Sequence, residues 1–149
     1  MAKDGKKKAE APKKAENVSK WKKKAWDMFS LFIRLRDRID DDGYTIDYCR
    51  CCTCENVKPW KQMQAGHFLP GRKNSNLFRE DGCHAQCYAC NVCKNGNGVE
   101  YYEFMLRKYG PEKIAELKQN NTLSLQFRVD DLKEIYENYK ARAAELQRR

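Results

Sequence analysis

Two short runs of sequence that are rich in cysteine decide how this chain folds. Residues 49–54 read CRCCTC and residues 83–93 read CHAQCYACNVC, and together they hold all eight cysteines of the 149-residue chain. Each run contains two overlapping Cys-x-x-Cys frames, which are 49/52 or 51/54 and 87/90 or 90/93. Two such turns supply the four thiolates of a closed tetrahedral zinc site. The sequence therefore predicts one structural Zn²⁺, and spacing alone leaves four combinations of frames open.

The positive charge of the chain is concentrated at its N-terminus. Thirty Lys and Arg against 21 Asp and Glu give a net charge of +9, and ten Lys against three acids in residues 1–24 account for +7 of it. This distribution excludes a uniformly basic packing protein. It predicts a disordered basic arm, residues 1–20, which either adds affinity for nucleic acid or only keeps the protein in solution.

The longest nearly apolar run, residues 28–33, is far shorter than the roughly 20 residues that a membrane helix needs. No apolar stretch follows Met1, so we expect no signal peptide, no membrane partner and a cytoplasmic protein. In a reducing compartment, clustered cysteines indicate a metal site rather than disulfides.

The rest of the chain, residues 21–149, reads as a single domain. Apolar residues at helical spacing predict a helix over 21–42, and short apolar pieces with Gly and Asn predict an irregular zinc-stapled unit over 44–97. About three helices follow over 98–149, of which the last, about 129–147, carries an apolar stripe that is either core or a dimer seam. The predicted fold class is α+β, mostly helical.

Both histidines and one notable asparagine fall within the cysteine-rich unit. His67 lies between the two runs, His84 lies three residues before Cys87, and Asn91 directly follows Cys90. A lone His in a short strand is usually a packed side chain. A possible base, a rigid zinc turn and an amide ligand within about forty residues instead indicate a catalytic site.

These residues resemble a known group of nucleases. The matching segments are FIRLRD at 32–37, AGHF at 65–68 and CHAQCYACN at 83–91, within a match over roughly residues 25–146. The pattern resembles the His-Me finger (ββα-metal, HNH-type) nucleases, and among them the zinc-stapled resolvases of the endonuclease VII kind. It is most similar to the phage NinG/Rap recombination endonucleases.

The resemblance implies roles for individual residues. His67 would end the first strand of a ββα-metal hairpin and act as the general base. Asn91 would bind a catalytic Mg²⁺ or Mn²⁺. The resemblance also favours Cys51, Cys54, Cys87 and Cys90 as the zinc ligands, which leaves Cys49, Cys83 and Cys93 as spare thiols.

The sequence departs from the resembled pattern near the catalytic histidine. Gly66 stands where many such nucleases have a metal-binding Asp, and Gln64 and Gly82 replace an acid and an Asn that are common there. His84, with Asp81 behind it, is our candidate for the second ligand of the catalytic ion. The alternative is that His84 is a hydrogen-bonded strut of the hairpin.

Basic residues near His67 are candidates for DNA contacts: Arg72 and Lys73 in the loop 70–76, and Lys94 more weakly. The arginines at 34, 36 and 38 instead read as a solvated helix face.

The resemblance implies a metal-dependent, structure-selective DNA endonuclease that cuts branched recombination intermediates, such as Holliday junctions, in the cytosol of a phage host. Because a resolvase cuts two strands, a homodimer is possible. The alternatives are a non-catalytic zinc module that binds nucleic acid or a recombination partner, and an HNH nuclease that acts on plain duplex or single strands.

Overall fold

The structure, a computed structural model, describes residues 17–40 and 46–149. Most of the predicted basic arm, residues 1–16, lies outside the described residues, as do residues 41–45. In the described part, a helix, two small pairs of strands and further helices follow one another in the predicted order. The fold class is therefore confirmed as α+β and mostly helical.

The first helix, α1, spans Val18–Arg36, so it begins and ends earlier than the predicted 21–42. It begins early because the Asn17 side chain accepts a hydrogen bond of 2.9 Å from a backbone N–H of the first turn. It ends early because the next residue, Asp37, accepts a hydrogen bond of 2.8 Å from the backbone N–H of Ala85. This long-range contact holds the chain against the strand that carries Ala85.

Two arginines near the end of α1 hold the fold together, contrary to the expected solvated face. Arg36 donates hydrogen bonds of 2.8 Å to the backbone oxygens of Glu80 and Cys83. Arg38 donates one of 2.7 Å to the backbone oxygen of Leu146 near the C-terminus. These arginines are therefore partly buried in structural contacts with backbone carbonyls.

The cysteine-rich unit consists of two antiparallel strand pairs and short helical turns. Strand β1 (Tyr48–Arg50) pairs with β2 (Val57–Pro59), and β3 (Gln64–His67) pairs with β4 (Cys83–Gln86) in a register that sets Gly66 opposite His84 and His67 opposite Cys83. The helical turn after β4 completes the order of strand, strand and helix that the sequence predicts around His67. The elements are β1 Tyr48–Arg50, β2 Val57–Pro59, β3 Gln64–His67, α2 Asn74–Leu77, β4 Cys83–Gln86 and the helical turn Ala89–Cys93.

Three helices form the C-terminal part, as predicted: α3 Gly98–Lys108, α4 Pro111–Asn120 and α5 Val129–Gln147. Gly110 has a φ of 90°, and this left-handed conformation allows the sharp turn between α3 and α4. Among residues 17–40 and 46–149, none of the helices is both long and apolar enough to cross a bilayer.

The main core lies between α1 and α5. Phe29 of α1 is fully buried and contacts the Tyr139 ring edge-to-face, with 4.9 Å between ring centroids. Ala143 is buried in the same cluster, and Leu146 packs against it. The apolar stripe of α5 is therefore core within this chain, which removes it as a dimer seam.

Candidate active site and metal centre

Four cysteines lie together at the centre of the small unit. The Sγ atoms of Cys51, Cys54, Cys87 and Cys90 all lie within 4.8 Å of one another, and those of Cys54 and Cys87 are 3.7 Å apart. Of the four possible combinations of frames, the structure brings together 51/54 and 87/90. Four convergent thiols fit a tetrahedral structural Zn²⁺.

The pKa of one thiol of the cluster is lowered, whereas burial raises those of Cys54 and Cys87. Burial raises the pKa of Cys51, but hydrogen bonds from the Thr53 hydroxyl and from nearby backbone groups lower it to about 6. A thiolate at neutral pH is the form that binds zinc.

The thiols of the remaining cysteines do not belong to this group of four. Cys49 is buried, donates a hydrogen bond to the backbone oxygen of Arg34 and has its pKa raised to about 12 by burial. Burial also raises the pKa of Cys83, while Cys52 is half-buried and Cys93 is exposed.

A cleft of about 530 Å³ opens beside the cysteine cluster. The residues that line it come from α1, β3, the loop after β3 and the helical turn after β4. His67, Asn91 and Arg72 are the predicted site residues that the structure brings together there. The lining also includes Trp26, Ser30, Arg34, Gln64, Asn95 and Gly96.

The His67 ring is held by a hydrogen bond at one of its two nitrogens. Its Nε2 lies 3.0 Å from the backbone oxygen of Leu77. Because a carbonyl oxygen only accepts hydrogen bonds, Nε2 carries the proton in the neutral ring and Nδ1 keeps a free lone pair. The Trp26 ring stacks on His67 with 5.0 Å between centroids and an angle of 25°.

The surroundings of His67 favour its neutral form. Burial lowers the pKa of His67, and the nearby Arg72 guanidinium lowers it further, while the hydrogen bond to Leu77 opposes both effects. A pKa below the usual histidine value of about 6.5 leaves the ring able to accept a proton at neutral pH.

Asn91 is positioned by the cysteine turn and by Gln64. Its backbone N–H bonds to the Cys87 oxygen at 2.9 Å, and its Nδ2 donates to Gln64 Oε1 at 2.7 Å. The amide nitrogen is therefore used, and Oδ1 is the end left for a ligand. An amide oxygen is a hard donor that suits Mg²⁺ or Mn²⁺ better than zinc, so the residues present fit such an ion.

His84 does not reach the cleft. It is buried, with Nδ1 lying 3.2 Å from the Tyr101 hydroxyl and Nε2 lying 2.7 Å from the Tyr109 hydroxyl. Burial lowers its pKa to about 3. Asp81, which the sequence suggested together with His84, forms an ion pair with Arg79. The contacts of His84 are therefore those of the hydrogen-bonded strut and not those of a ligand in the cleft.

The three candidate DNA contacts differ in position. The Arg72 guanidinium lies over the Trp26 ring, 4.4 Å from its centroid, and so reaches the cleft. Lys73 and Lys94 are exposed and are not among the residues that line it. A second groove of about 420 Å³ shares Trp26 and Arg72 with the cleft and adds Lys22 and Lys23 of α1.

Sequence reasoning missed Trp26 as a site residue. An aromatic residue at helical spacing within 21–42 is typical of the core, and the sequence gives no reason to separate Trp26 from that stripe. The lysines at 22–24, next to this large ring, are a signal in the sequence that could have indicated it.

The described residues thus define a small, mostly helical α+β protein in which four cysteines hold a helical turn beside a histidine-bearing strand pair. The family model described as "Bacteriophage Lambda NinG protein" matches residues 2–149, and the chain belongs to this NinG family. It is 29% identical to "Protein ninG" of Escherichia phage lambda over 129 residues, which cover 86% of this chain and 58% of the relative. It is 27% identical to "Protein ninG" of Salmonella phage P22, with the same coverage. The chain thus spans little more than half the length of these relatives, and no solved structure matches it.

Proposed function

We propose that this protein is a metal-dependent DNA endonuclease that cuts branched recombination intermediates, such as Holliday junctions, in the cytosol of a phage host. The observation that carries the proposal is that His67 and Asn91 line one cleft and that, among the described residues, neither His67 Nδ1 nor Asn91 Oδ1 has a hydrogen-bond partner. A free Nδ1 and a free Oδ1 are what a hydrolytic phosphodiesterase needs from its protein.

The chemistry follows from the positions of these atoms. His67 Nδ1 takes the proton of the water that attacks phosphorus, and the Leu77 carbonyl stabilises the imidazolium through the Nε2–H bond. Asn91 Oδ1 would hold a Mg²⁺ or Mn²⁺ ion, which when bound polarises the phosphate and stabilises the leaving 3′ oxygen. Arg72, above Trp26, binds a neighbouring phosphate.

The groove along α1 supports a nucleic-acid substrate. Lys22 and Lys23 line the part of it that continues from the cleft through Trp26 and Arg72. Such contacts bind backbone phosphates and carry no sequence code. The choice of a branched substrate rests on the resemblance to the phage recombination endonucleases, and a homodimer that cuts two strands would have to form through a surface other than the α5 stripe.

One observation favours a second candidate function. Gly66 offers no side chain as a metal ligand directly before His67, which would suit a non-catalytic zinc module that binds nucleic acid. This alternative predicts binding to DNA that does not depend on Mg²⁺, and no cleavage with any metal.

The experiment compares cleavage of four labelled DNAs by the zinc-loaded protein: a four-way junction, a flap, a duplex and a single strand. Each is incubated with Mg²⁺, with Mn²⁺ and with neither ion. We expect cleavage of the branched DNAs that requires one of the two ions. Equal cleavage of the duplex or the single strand would contradict structure selectivity, and binding without cleavage under every condition would favour the non-catalytic module.

A further inference from the structure

The amide oxygen of Gln86 is buried beside the cleft without a hydrogen-bond partner among the described residues. Gln86 is the last residue of β4, and its side chain is fully buried. Its Nε2 donates hydrogen bonds to Thr53 Oγ1 at 3.1 Å and to the Gly96 backbone oxygen at 2.9 Å. Because the Gly96 oxygen only accepts, the orientation of the amide is fixed and Oε1 is the unpartnered end. A buried polar atom of this kind requires an explanation.

The absence of a side chain at Gly66 leaves room for this oxygen. A Cβ added at position 66 would lie 1.9 Å from Gln86 Oε1 and 3.1 Å from Asn91 Oδ1. The first distance is far inside van der Waals contact, so the Gln86 amide occupies the space that a side chain at position 66 would fill. The two amide oxygens therefore border the same small space, one residue away from His67.

We propose that Gln86 Oε1 is the second protein ligand of the catalytic divalent ion, beside Asn91 Oδ1. This inference rests on the proposed function and supplies the ligand that Gly66 lacks. Both donors are neutral, hard oxygens that suit Mg²⁺ and Mn²⁺, and these ions keep several waters or phosphate oxygens in their remaining positions. A site without a protein carboxylate leaves the full charge of the ion available to the DNA phosphate.

The test measures Mn²⁺ binding by electron paramagnetic resonance of the zinc-loaded full chain, with zinc content and circular dichroism as checks of folding. Gln86→Met removes the oxygen and keeps the length of the side chain. Gln119→Met makes the same change at an exposed position of α4 and is the matched control. We expect Gln86→Met and Asn91→Ala each to weaken Mn²⁺ binding at least fivefold, and Gln119→Met to leave it within twofold of the parent.

Two further variants, which change position 66, test whether Gln86 is a ligand of the ion. Gly66→Ala keeps Gln86 but places a Cβ where its oxygen lies, so it should weaken Mn²⁺ binding as well. The double variant Gly66→Asp/Gln86→Ala places a carboxylate in the vacated space and should restore it. Gly66→Ala keeps the test informative even if Gln86→Met does not fold.

Mn²⁺ affinity within twofold of the parent in Gln86→Met or Gly66→Ala, together with a loss in Asn91→Ala, would overturn the role of Gln86. That result would leave the proposed endonuclease standing, because cleavage by the parent protein is measured separately. Failure of the endonuclease itself would appear as a parent protein that cuts none of the four DNAs.

Discussion

At the scale of the residue, the reactivity of His67 is set by three neighbours with separate tasks. The Leu77 oxygen fixes which nitrogen carries the proton, Trp26 covers one face of the ring, and Arg72 adds a positive charge nearby. Together, burial and the positive charge keep the imidazole neutral, whereas the hydrogen bond acts against them. The imidazole is therefore able to accept a proton at neutral pH.

The first prediction concerns the pH dependence of cleavage. A lowered pKa of His67 means that the ring stays unprotonated below pH 6.5, so the acid limb of the single-turnover rate should lie below that pH. Trp26→Leu uncovers the ring, which raises its pKa towards the usual value and shifts the acid limb to higher pH. Trp21→Leu, on the same helix but against Tyr136, is the control and should not shift it. An acid limb that stays in place in Trp26→Leu would show that stacking does not set this pKa.

The second prediction concerns His84 and the stability of the fold. Its pKa of about 3 means that the folded protein does not bind the proton that the unfolded chain binds below about pH 6.5. Stability is therefore lost on acidification below that pH, by about 2 kcal/mol at pH 5 from this one group. Urea unfolding at pH 7 and pH 5, at equal zinc content, should show a smaller acid loss in His84→Gln than in the parent. Equal losses in both proteins would argue against a neutral, buried His84.

At this scale the sequence identifies candidate site residues better than it shows which groups their side chains contact. His67, Asn91 and Arg72 follow from spacing and resemblance, and the structure brings them together. His84 and Gln86 lie two residues apart on β4, yet His84 is hydrogen-bonded by two tyrosines, whereas the amide oxygen of Gln86 lies in the space beside Gly66. The surroundings that each side chain meets depend on packing against α3 and the cysteine cluster, which the local sequence does not show.

At the scale of the element, the helical turn Ala89–Cys93 links the four-cysteine cluster to Asn91, the candidate ligand of the second ion. Cys90 and Asn91 are consecutive residues of this turn, and Cys87, which precedes the turn, accepts the backbone hydrogen bond of Asn91. The small unit has short strands and few large aliphatic side chains, so a zinc ion held by the four cysteines would supply much of its folding free energy.

The third prediction is that zinc is needed for the position of Asn91. Cys54→Ser should lower the zinc content and the melting temperature and abolish cleavage, and added Mg²⁺ should not restore it. Cys93→Ser changes an exposed thiol of the same turn and should alter the unfolding free energy by less than about 0.5 kcal/mol. Cleavage by Cys54→Ser at the rate of the parent would separate the cysteine cluster from the catalytic site.

The elements themselves are largely predictable, whereas their ends are not. Apolar spacing identifies α1 and the three C-terminal helices, because each buries one stripe of side chains. The start of α1 lies within the lysine-rich segment because Asn17 caps it, and its end is set by contacts with a strand almost fifty residues away. Local patterns cannot show such a contact.

At the scale of the whole molecule, we expect DNA binding to depend more on the charges beside the cleft than on the net charge of the chain. The groove that joins the cleft runs past Lys22 and Lys23 towards Arg72, and Asp27 pairs with Lys23 at its edge. Electrostatic contacts of this kind strengthen binding to DNA and weaken as salt is added.

The fourth prediction concerns this groove. Replacing Lys22 and Lys23 with Gln should weaken junction binding and reduce the slope of log K against log salt by about one to two. The cleavage rate at saturating protein should not change, because neither lysine lies in the catalytic cleft. Lys108→Gln/Lys118→Gln removes two charges from α3 and α4 and is the matched control. Equal salt slopes in the two double variants would exclude the groove as the path of the DNA.

The most direct test of the account is the single-turnover cleavage of a four-way junction by His67→Ala, measured with zinc-loaded protein and Mg²⁺. Since a general base contributes about 10²–10⁴-fold to the rate, the variant should cut at least a hundred times more slowly than the parent. Its zinc content and its affinity for the junction should match those of the parent. A His67→Ala protein that cuts at the parent rate would contradict the central claim that His67 activates the attacking water.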